Sequence, residues 1–259
     1  MNSNVDTQEW LDQPVVRGVG LTREQAIYLV IIMVCLVTRL AGLGHRVQSH
    51  DESLHTQHSW YLYNGQGYTH NPMMHGPFLY HVTAFTYFVL GDSDYTARLP
   101  VALMGTVLVA FPYLLRRYLG RKGALATSMM FLMSPSITYY SRYIRMDVPA
   151  IMWALVVIWG LFRYLEDGKE SRLYVVAGGL SLLYATKEVA PIYVIMIAVY
   201  LVGLFLVEVT RERWERRRAE GVFVGALVGV ALGLAVLVAG MWLGGGEGSE
   251  AGIVEVGVE

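Results

Sequence analysis

The sequence predicts an all-α, polytopic membrane protein with about seven transmembrane helices and interfacial helices in its first outer loop. Three observations carry that prediction. Of the 259 residues, 54% are hydrophobic and only 16% charged, where a soluble domain carries roughly a quarter charged residues. The mean hydropathy is +0.42, and several apolar runs approach the ~20 residues needed to cross a bilayer. The basic residues are also distributed unevenly between alternate loops. An ordinary water-soluble enzyme is excluded. The net charge of −1 gives no footprint of nucleic acid, and none is expected as a partner.

The first apolar run, Ile27 to Leu43, follows Thr22-Arg23-Glu24, a helix start with an oxygen-bearing cap and an acid in the first turn. The preceding segment is too long and too weakly basic for the n-region of a signal peptide, so the run is read as an uncleaved anchor. Further spans are expected near Leu99–Leu115, Ala124–Ile137, Val148–Phe162, Leu173–Ala185, Ala190–Val207 and Val222–Leu243. The chain then divides into a cytoplasmic N-terminus (1–24), a first transmembrane helix (25–43), an outer loop (44–98), a six-helix module (99–243) and a Gly-rich acidic tail (244–259). The single cysteine, Cys35, lies within an apolar run, so no internal disulfide forms.

The run from Pro77 to Leu90 is ambiguous, and charge decides it. If it lies in the interface, fourteen basic residues fall inside, in the N-terminus and in the loops around Arg116–Lys122, Arg163–Arg172 and Arg211–Arg218. Five remain outside: Arg46, Arg98, Arg142, Arg145 and Lys187, with Arg39 inside the first span. If it crosses, every later loop flips and the bias reverses. The positive-inside rule selects the first arrangement, with the N-terminus in the cytoplasm of a plasma-membrane protein. His81, Thr83 and Thr86 within the run also suit an interfacial helix.

Three polar clusters then share the outer face, where polarity is expensive unless used. Asp51-Glu52 follows the first span; adjacent carboxylates there suit a general base or a divalent-cation ligand, against the plain reading of a solvated charge pair. Arg142, Arg145 and Asp147 form the second cluster, with two guanidiniums placed for a phosphate or for lipid headgroups. Lys187-Glu188 is an ion pair or a further phosphate contact. All seven histidines, including His50, His70 and His75, fall between positions 45 and 81. A divalent cation on Asp51, Glu52, His55 and His58 is one reading of that window. No tight metal signature supports it, and histidines bonding substrate or backbone is the simpler alternative.

In their order, these segments resemble the GT-C glycosyltransferases, close to the protein O-mannosyltransferase and aminoarabinose-transferase branch and to the prokaryotic "flippase activity-associated" membrane proteins. The likeness runs over 26–200 through Asp51-Glu52, His75-Gly76-Pro77-Phe78, Ala97-Arg98-Leu99-Pro100, Arg116-Arg117-Tyr118, Ser141–Asp147 and Ala185-Thr186-Lys187-Glu188. His-Gly-Pro-Phe departs from the usual HPPL of the family by one proline. The resemblance implies an inverting transfer from a polyprenyl-phosphate sugar to an acceptor at the outer face. By position, Asp51 would be the general base, with Glu52 its partner or a metal ligand. Arg98, Arg142, Arg145 and Lys187 would bind the donor phosphate, and His50, His75, Asp147 and Glu188 would support the pocket. Relatives carry more spans, so the chain is expected to be the catalytic half of such an enzyme. The alternative is a non-catalytic scaffold or flipping-associated component. A secondary transporter is disfavoured, because Arg39 is the sole intramembrane charge and no internal repeat is visible.

Overall fold

The structure, a computed structural model, describes residues 10–16, 19–68, 75–211, 221–226, 228–230 and 232–233. His70, most of the expected seventh span and the 244–259 tail lie outside them. The chain forms two compact units, Met1–Ile197 and Ala198–Glu259. In the second, the rings of Phe205 and Phe223 meet edge to face at 6.1 Å.

A short antiparallel ribbon, β1 (Pro14–Val16) and β2 (Val19–Thr22), leads into helix α1 (Arg23–Leu40). The helix starts where the sequence places it. Gln25 N–H donates to Thr22 Oγ1 (3.3 Å) and Thr22 N–H donates back to Gln25 Oε1 (3.1 Å), a reciprocal cap. One face of α1 packs Ile31 and Cys35 against Val109 of α4 (Asp94–Ala110), while Val30, Met33 and Val37 stay exposed for lipid. Arg39 is fully buried, and its Nη1 donates to Thr138 Oγ1 at 2.8 Å.

Between α1 and α4 lie α2 (His50–Tyr63) and α3 (Phe78–Leu90), which pack on each other. Both ends of α3 sit at one end of the bundle. At its start, Gly76 and Phe78 N–H donate to the carbonyls of Thr186 and Ala185; just past its end, Asp94 accepts from Gln48 and Asp92 from Trp60. At 1.5 Å per residue its thirteen residues span about 20 Å, short of the ~30 Å hydrocarbon core. Leu79, Tyr80, Thr83 and Tyr87 are buried against α4, and Phe85, Phe88 and Val89 are left exposed. The exposed face of α3 is thus largely apolar as well, and its shortness is what sets it apart from the spans.

Helix α5 (Arg116–Met133) breaks at Gly120, whose φ of 70° only glycine adopts readily. The sequence suggests one apolar run from Ala124 to Ile137. In the structure Ser134 ends α5 and caps a separate short helix, α6 (Pro135–Tyr140), with Pro135 in its first turn. Proline removes the N–H that would continue the ladder, so it opens a helix instead of extending one.

The hairpin α7 (Asp147–Asp167) and α8 (Glu170–Tyr184) turns on Gly168 at φ 62° and forms the most extensive helix pair of the chain. Glycines allow that approach: a Cβ at Gly179 would stand 2.8 Å from Val157 Cγ2, and one at Gly160 3.1 Å from Val176 Cγ2. Helix α9 (Ala190–Arg211) follows. Among the described residues, three segments are long and apolar enough to cross a membrane by length and composition: Asp94–Tyr113, Asp147–Asp167 and Ala190–Val209. α1, α5 and α8 occupy the other predicted runs.

The loops sort by end as the charges imply. Arg121 pairs with Asp12 (2.5 Å) and Glu24 (3.2 Å), and Arg117 with Glu166 (3.3 Å), which groups the basic loops with the N-terminal segment. The opposite end gathers Asp51, Arg98, Arg145 and Lys187.

Overpacking the α7–α8 seam has a readable cost of about 1–3 kcal/mol. Gly179→Leu should therefore lower the thermal midpoint in detergent by about 4–8 °C. Gly178→Leu, at a position with open space beside it, should leave the midpoint unchanged; equal midpoints for the two variants would refute the close-approach account.

Candidate active site

The first turn of α2 sends its two carboxylates in different directions, because successive residues on a helix are about 100° apart. Glu52 points inward and is fully buried. It accepts from Arg98 Nε (2.8 Å) and Nη2 (3.1 Å), Arg46 Nη2 (2.7 Å), Ser49 N–H (3.2 Å) and Ile144 N–H (3.3 Å). Burial works to raise its pKa, but the bonds from Arg98, Ser49 N–H and Arg46 prevail and hold it below the usual glutamate value. Arg98, also fully buried, spends its remaining amine on the carbonyls of Leu43 and Arg46, both at 2.9 Å.

This geometry corrects two sequence assignments. Glu52 is committed to Arg98 and is closed to a metal or an acceptor. Arg98 is committed to Glu52 and is closed to a phosphate. Arg142 departs similarly: its Nη1 donates to the carbonyls of Thr38 (2.5 Å) and Arg39 (3.3 Å), closing the C-terminal end of α1, where a cation satisfies orphan carbonyls.

Asp51 points outward and is about half exposed (53% for the side chain). From it runs a chain of alternating charge. Arg145 Nη1 lies 3.7 Å from Asp51 Oδ2, Arg145 Nε lies 3.1 Å from Asp147 Oδ2, and Lys187 Nζ lies 2.5 Å from Asp147 Oδ1. Beside it, His75 Nδ1 meets Glu188 Oε2 at 2.6 Å. Burial works to raise the Glu188 pKa, but its own backbone N–H and His75 outweigh that and lower it. His75 sits at φ 65°, left-handed backbone that a non-glycine residue adopts at some strain. Gly76 beside it presses on the Ala185 carbonyl so closely that a Cβ would collide. Its N–H bonds Thr186 O (3.3 Å), a bond that proline could not supply.

His55 and His58 do not assemble with Asp51 and Glu52. His55 Nδ1 pairs with Tyr80 Oη (2.9 Å), and His58 Nδ1 with the Leu54 carbonyl of its own helix (2.9 Å). Among the described residues no three His, Cys, Asp or Glu side chains converge to hold a metal ion, so the Asp51, Glu52, His55, His58 set does not form. Burial, then neighbouring His75, pushes His55 down to about 4, leaving it neutral at physiological pH. His50 opens α2 at the exposed surface.

Beneath Asp147 and Lys187 lies a groove of about 480 Å³ lined by Ala150, Ile151, Val189, Ile192, Tyr193 and Met196. The groove and Arg46 were invisible as site features in the sequence. Arg46 clamps Glu52 and lies over the rings of Tyr139 (5.2 Å) and Tyr143 (5.1 Å), while Ser49 Oγ bonds the Tyr143 hydroxyl. A lone arginine in a loop carries no signal of its partner.

A polytopic helical bundle with a charged cluster beside an apolar groove defines a membrane-protein fold. Residues 74–242 match the family model described as dolichyl-phosphate-mannose-protein mannosyltransferase, and the chain belongs to that family, within the GT-C superfamily of membrane glycosyltransferases. In fold it is similar to a chain of the S. cerevisiae protein O-mannosyltransferase Pmt1–Pmt2 complex bound to the sugar donor, with a TM-score of 0.59 and 17% identity. That match covers 92% of this chain and 35% of the yeast chain, so this chain spans about a third of its relative's length. No curated protein matches the sequence.

Two stability measurements test the site's architecture. Truncating one partner of a buried pair costs about 3–5 kcal/mol, so Glu52→Ala should melt far below wild type, whereas Asp51→Asn should melt with it. The second test is pH. A histidine with a depressed folded pKa binds fewer protons than the unfolded chain, so its contribution is present above 6.5 and is lost as pH falls from 6.5 towards about 4. His55→Gln should flatten the decline of the melting midpoint across that window; an unchanged slope would show that His55 is not buried neutral.

Proposed function

We propose that this chain carries the catalytic centre of a membrane glycosyltransferase that moves a sugar from a polyprenyl-phosphate donor to an acceptor at the outer face, with inversion. The observation that carries the reading is the Asp51–Arg145–Asp147–Lys187 chain, whose Asp147 and Lys187 form the polar end of an apolar groove. The polyprenyl tail occupies the groove, and the phosphate sits against Lys187 and Arg145. Family membership supports a lipid-linked donor.

In this mechanism Asp51 takes the proton of the acceptor nucleophile. The acceptor's lone pair forms the new bond to the anomeric carbon from the face opposite the phosphate. The bond from that carbon to the phosphate oxygen breaks, and its electrons leave with polyprenyl phosphate. Arg145 and Lys187 neutralise the charge developing on that oxygen. Glu52 and Arg98 act at one remove: they fix the first turn of α2, so that Asp51 is held at the site. Glu188 orients His75 beside the acceptor path. The excess of basic residues in the loops joined to the N-terminal segment supports a reading with that end in the cytoplasm of a plasma-membrane protein and the site on the outer face.

Transfer of labelled sugar from polyprenyl phosphate, measured with the full-length protein in vesicles, tests the reading. Loss of a general base lowers kcat by about 10²–10⁴-fold. Asp51→Asn should therefore be nearly inactive at an unchanged melting midpoint, and Lys187→Ala should raise KM for the donor. Full activity in Asp51→Asn removes the base assignment. Absence of transfer from every lipid-linked donor favours the scaffold alternative. For sidedness, Lys169→Cys in intact cells should resist an impermeant thiol reagent, the native Cys35 being buried; labelling there reverses the orientation.

A further inference from the structure

Helix α2 has a second patterned face. Asp51, His55 and His58 share one side at i, i+4, i+7, and Ser53, Gln57 and Trp60 repeat that spacing two residues on, about 200° around the helix. This opposite face lines an open groove of about 500 Å³, flanked by Gln48, by Asp92 of the turn between α3 and α4, and by Asp94 at the start of α4. That volume is in the range of small-molecule sites.

The lining is chemically selective. It includes two carboxylates, two primary amides, several hydroxyls and the rings of Trp60 and Tyr61, and no lysine, arginine or histidine. A phosphate or an anionic headgroup would meet only repulsion from Asp92 and Asp94. The polar groups are held in place. Trp60 Nε1 donates to Asp92 Oδ2 (2.9 Å), Gln48 Nε2 to Asp94 Oδ1 (3.0 Å), and Gln57 Nε2 to the Tyr61 hydroxyl (2.5 Å). An ionised carboxylate has about four acceptor sites, so both aspartates keep capacity for further donors. The indole of Trp60 is anchored by its N–H and remains 39% exposed.

We propose that this pocket binds a neutral saccharide, at a site separate from the Asp51 cluster. A pyranose offers an apolar C–H face to an indole and a rim of hydroxyls that donate to carboxylates and accept from amides. An anchored aromatic ring flanked by acceptor-rich carboxylates and primary amides matches both surfaces at once. A cationic peptide would also favour aromatics and carboxylates, and its carbonyls could take the amide donors of Gln48 and Gln57, so trilysine is the competing ligand in the test below. Helix α2 thus carries Asp51 on one face and this pocket on the other.

Binding is read without any transfer reaction, so the test is independent of the proposed activity. The full-length protein in zwitterionic nanodiscs is titrated with methyl mannoside, methyl glucoside and maltose, followed by saturation-transfer NMR and tryptophan fluorescence. Saturable binding of at least one sugar is expected, equal in wild type and Asp51→Asn. Trp60→Ala and the pair Asp92→Asn/Asp94→Asn should each weaken it by about tenfold or more, the effect of one lost hydrogen bond to a charged acceptor. Gln57→Ala, an exposed position that leaves the fold undisturbed, should weaken it in the same direction. The proposal is overturned if no sugar binds saturably, if binding survives all the pocket variants, if it disappears in Asp51→Asn, or if trilysine binds at the pocket and the sugars do not.

Discussion

The buried pair of Glu52 and Arg98 is the constraint on which the polar end of this bundle depends. Burying two charges is expensive, and their attraction compensates only when geometry is good and the remaining hydrogen-bonding capacity is filled. Both conditions hold. The guanidinium meets the carboxylate at two points, and Arg46, Ser49 and Ile144 fill the rest of Glu52. Arg98 in turn reaches the carbonyls of Leu43 and Arg46. One ion pair thereby fastens the exit of α1, the start of α2, the first turns of α4 and the loop before α7. No apolar contact could fix four segments in register, because apolar contacts have no direction.

That arrangement gives two adjacent carboxylates different lives. Glu52 is held charged and inaccessible, so it can set position but not exchange protons with a substrate. Asp51, one residue earlier, faces outward within reach of Arg145. In the proposed mechanism the first fixes the second. The cations divide in the same way. Arg98 and Arg142 are spent on the fold, one inside the ion pair and one on the carbonyls that end α1. Lys187 lines the groove and Arg145 stands next to it in the charge chain, each paired with aspartates.

Much of the fold was legible because it follows from one-dimensional quantities. Apolar runs locate α1, α4, α7, α8 and α9, the Thr22 cap fixes the start of α1, and the asymmetry of basic loops anticipates which of them share an end. The interfacial reading of α3 comes from charge, and in the structure residues at both its ends bond to the same end of the bundle. What was not legible depends on partners distant in sequence. Nothing in Asp51-Glu52 says which carboxylate turns inward; that is decided by Arg98, 46 residues away. Arg142 and Arg145 look equivalent as charges, yet one caps a helix and the other joins the site. The histidine window suggested metal because the residues are close in sequence. The structure spends His55 on Tyr80 and His58 on its own helix backbone. The hydrophobic run through Ser134 concealed a helix break, because hydropathy does not register the backbone consequence of Pro135.

The character of the groove bears on how a donor reaches the site. Ile151, Ile192 and Met196 on its wall are 40%, 59% and 63% exposed. In water such a surface would be a liability; in a bilayer it is an ordinary lipid-facing wall, continuous with the acyl chains. A ligand entering along it loses little by keeping its tail among lipids and gains only where Asp147 and Lys187 meet its polar head. A water-soluble nucleotide sugar would have to leave water and cover this wall with polar surface, at a desolvation cost the groove cannot offset. In the proposed mechanism this wall suits a donor whose phosphate is attached to a hydrocarbon chain, because the chain can stay against apolar surface while the phosphate meets Lys187.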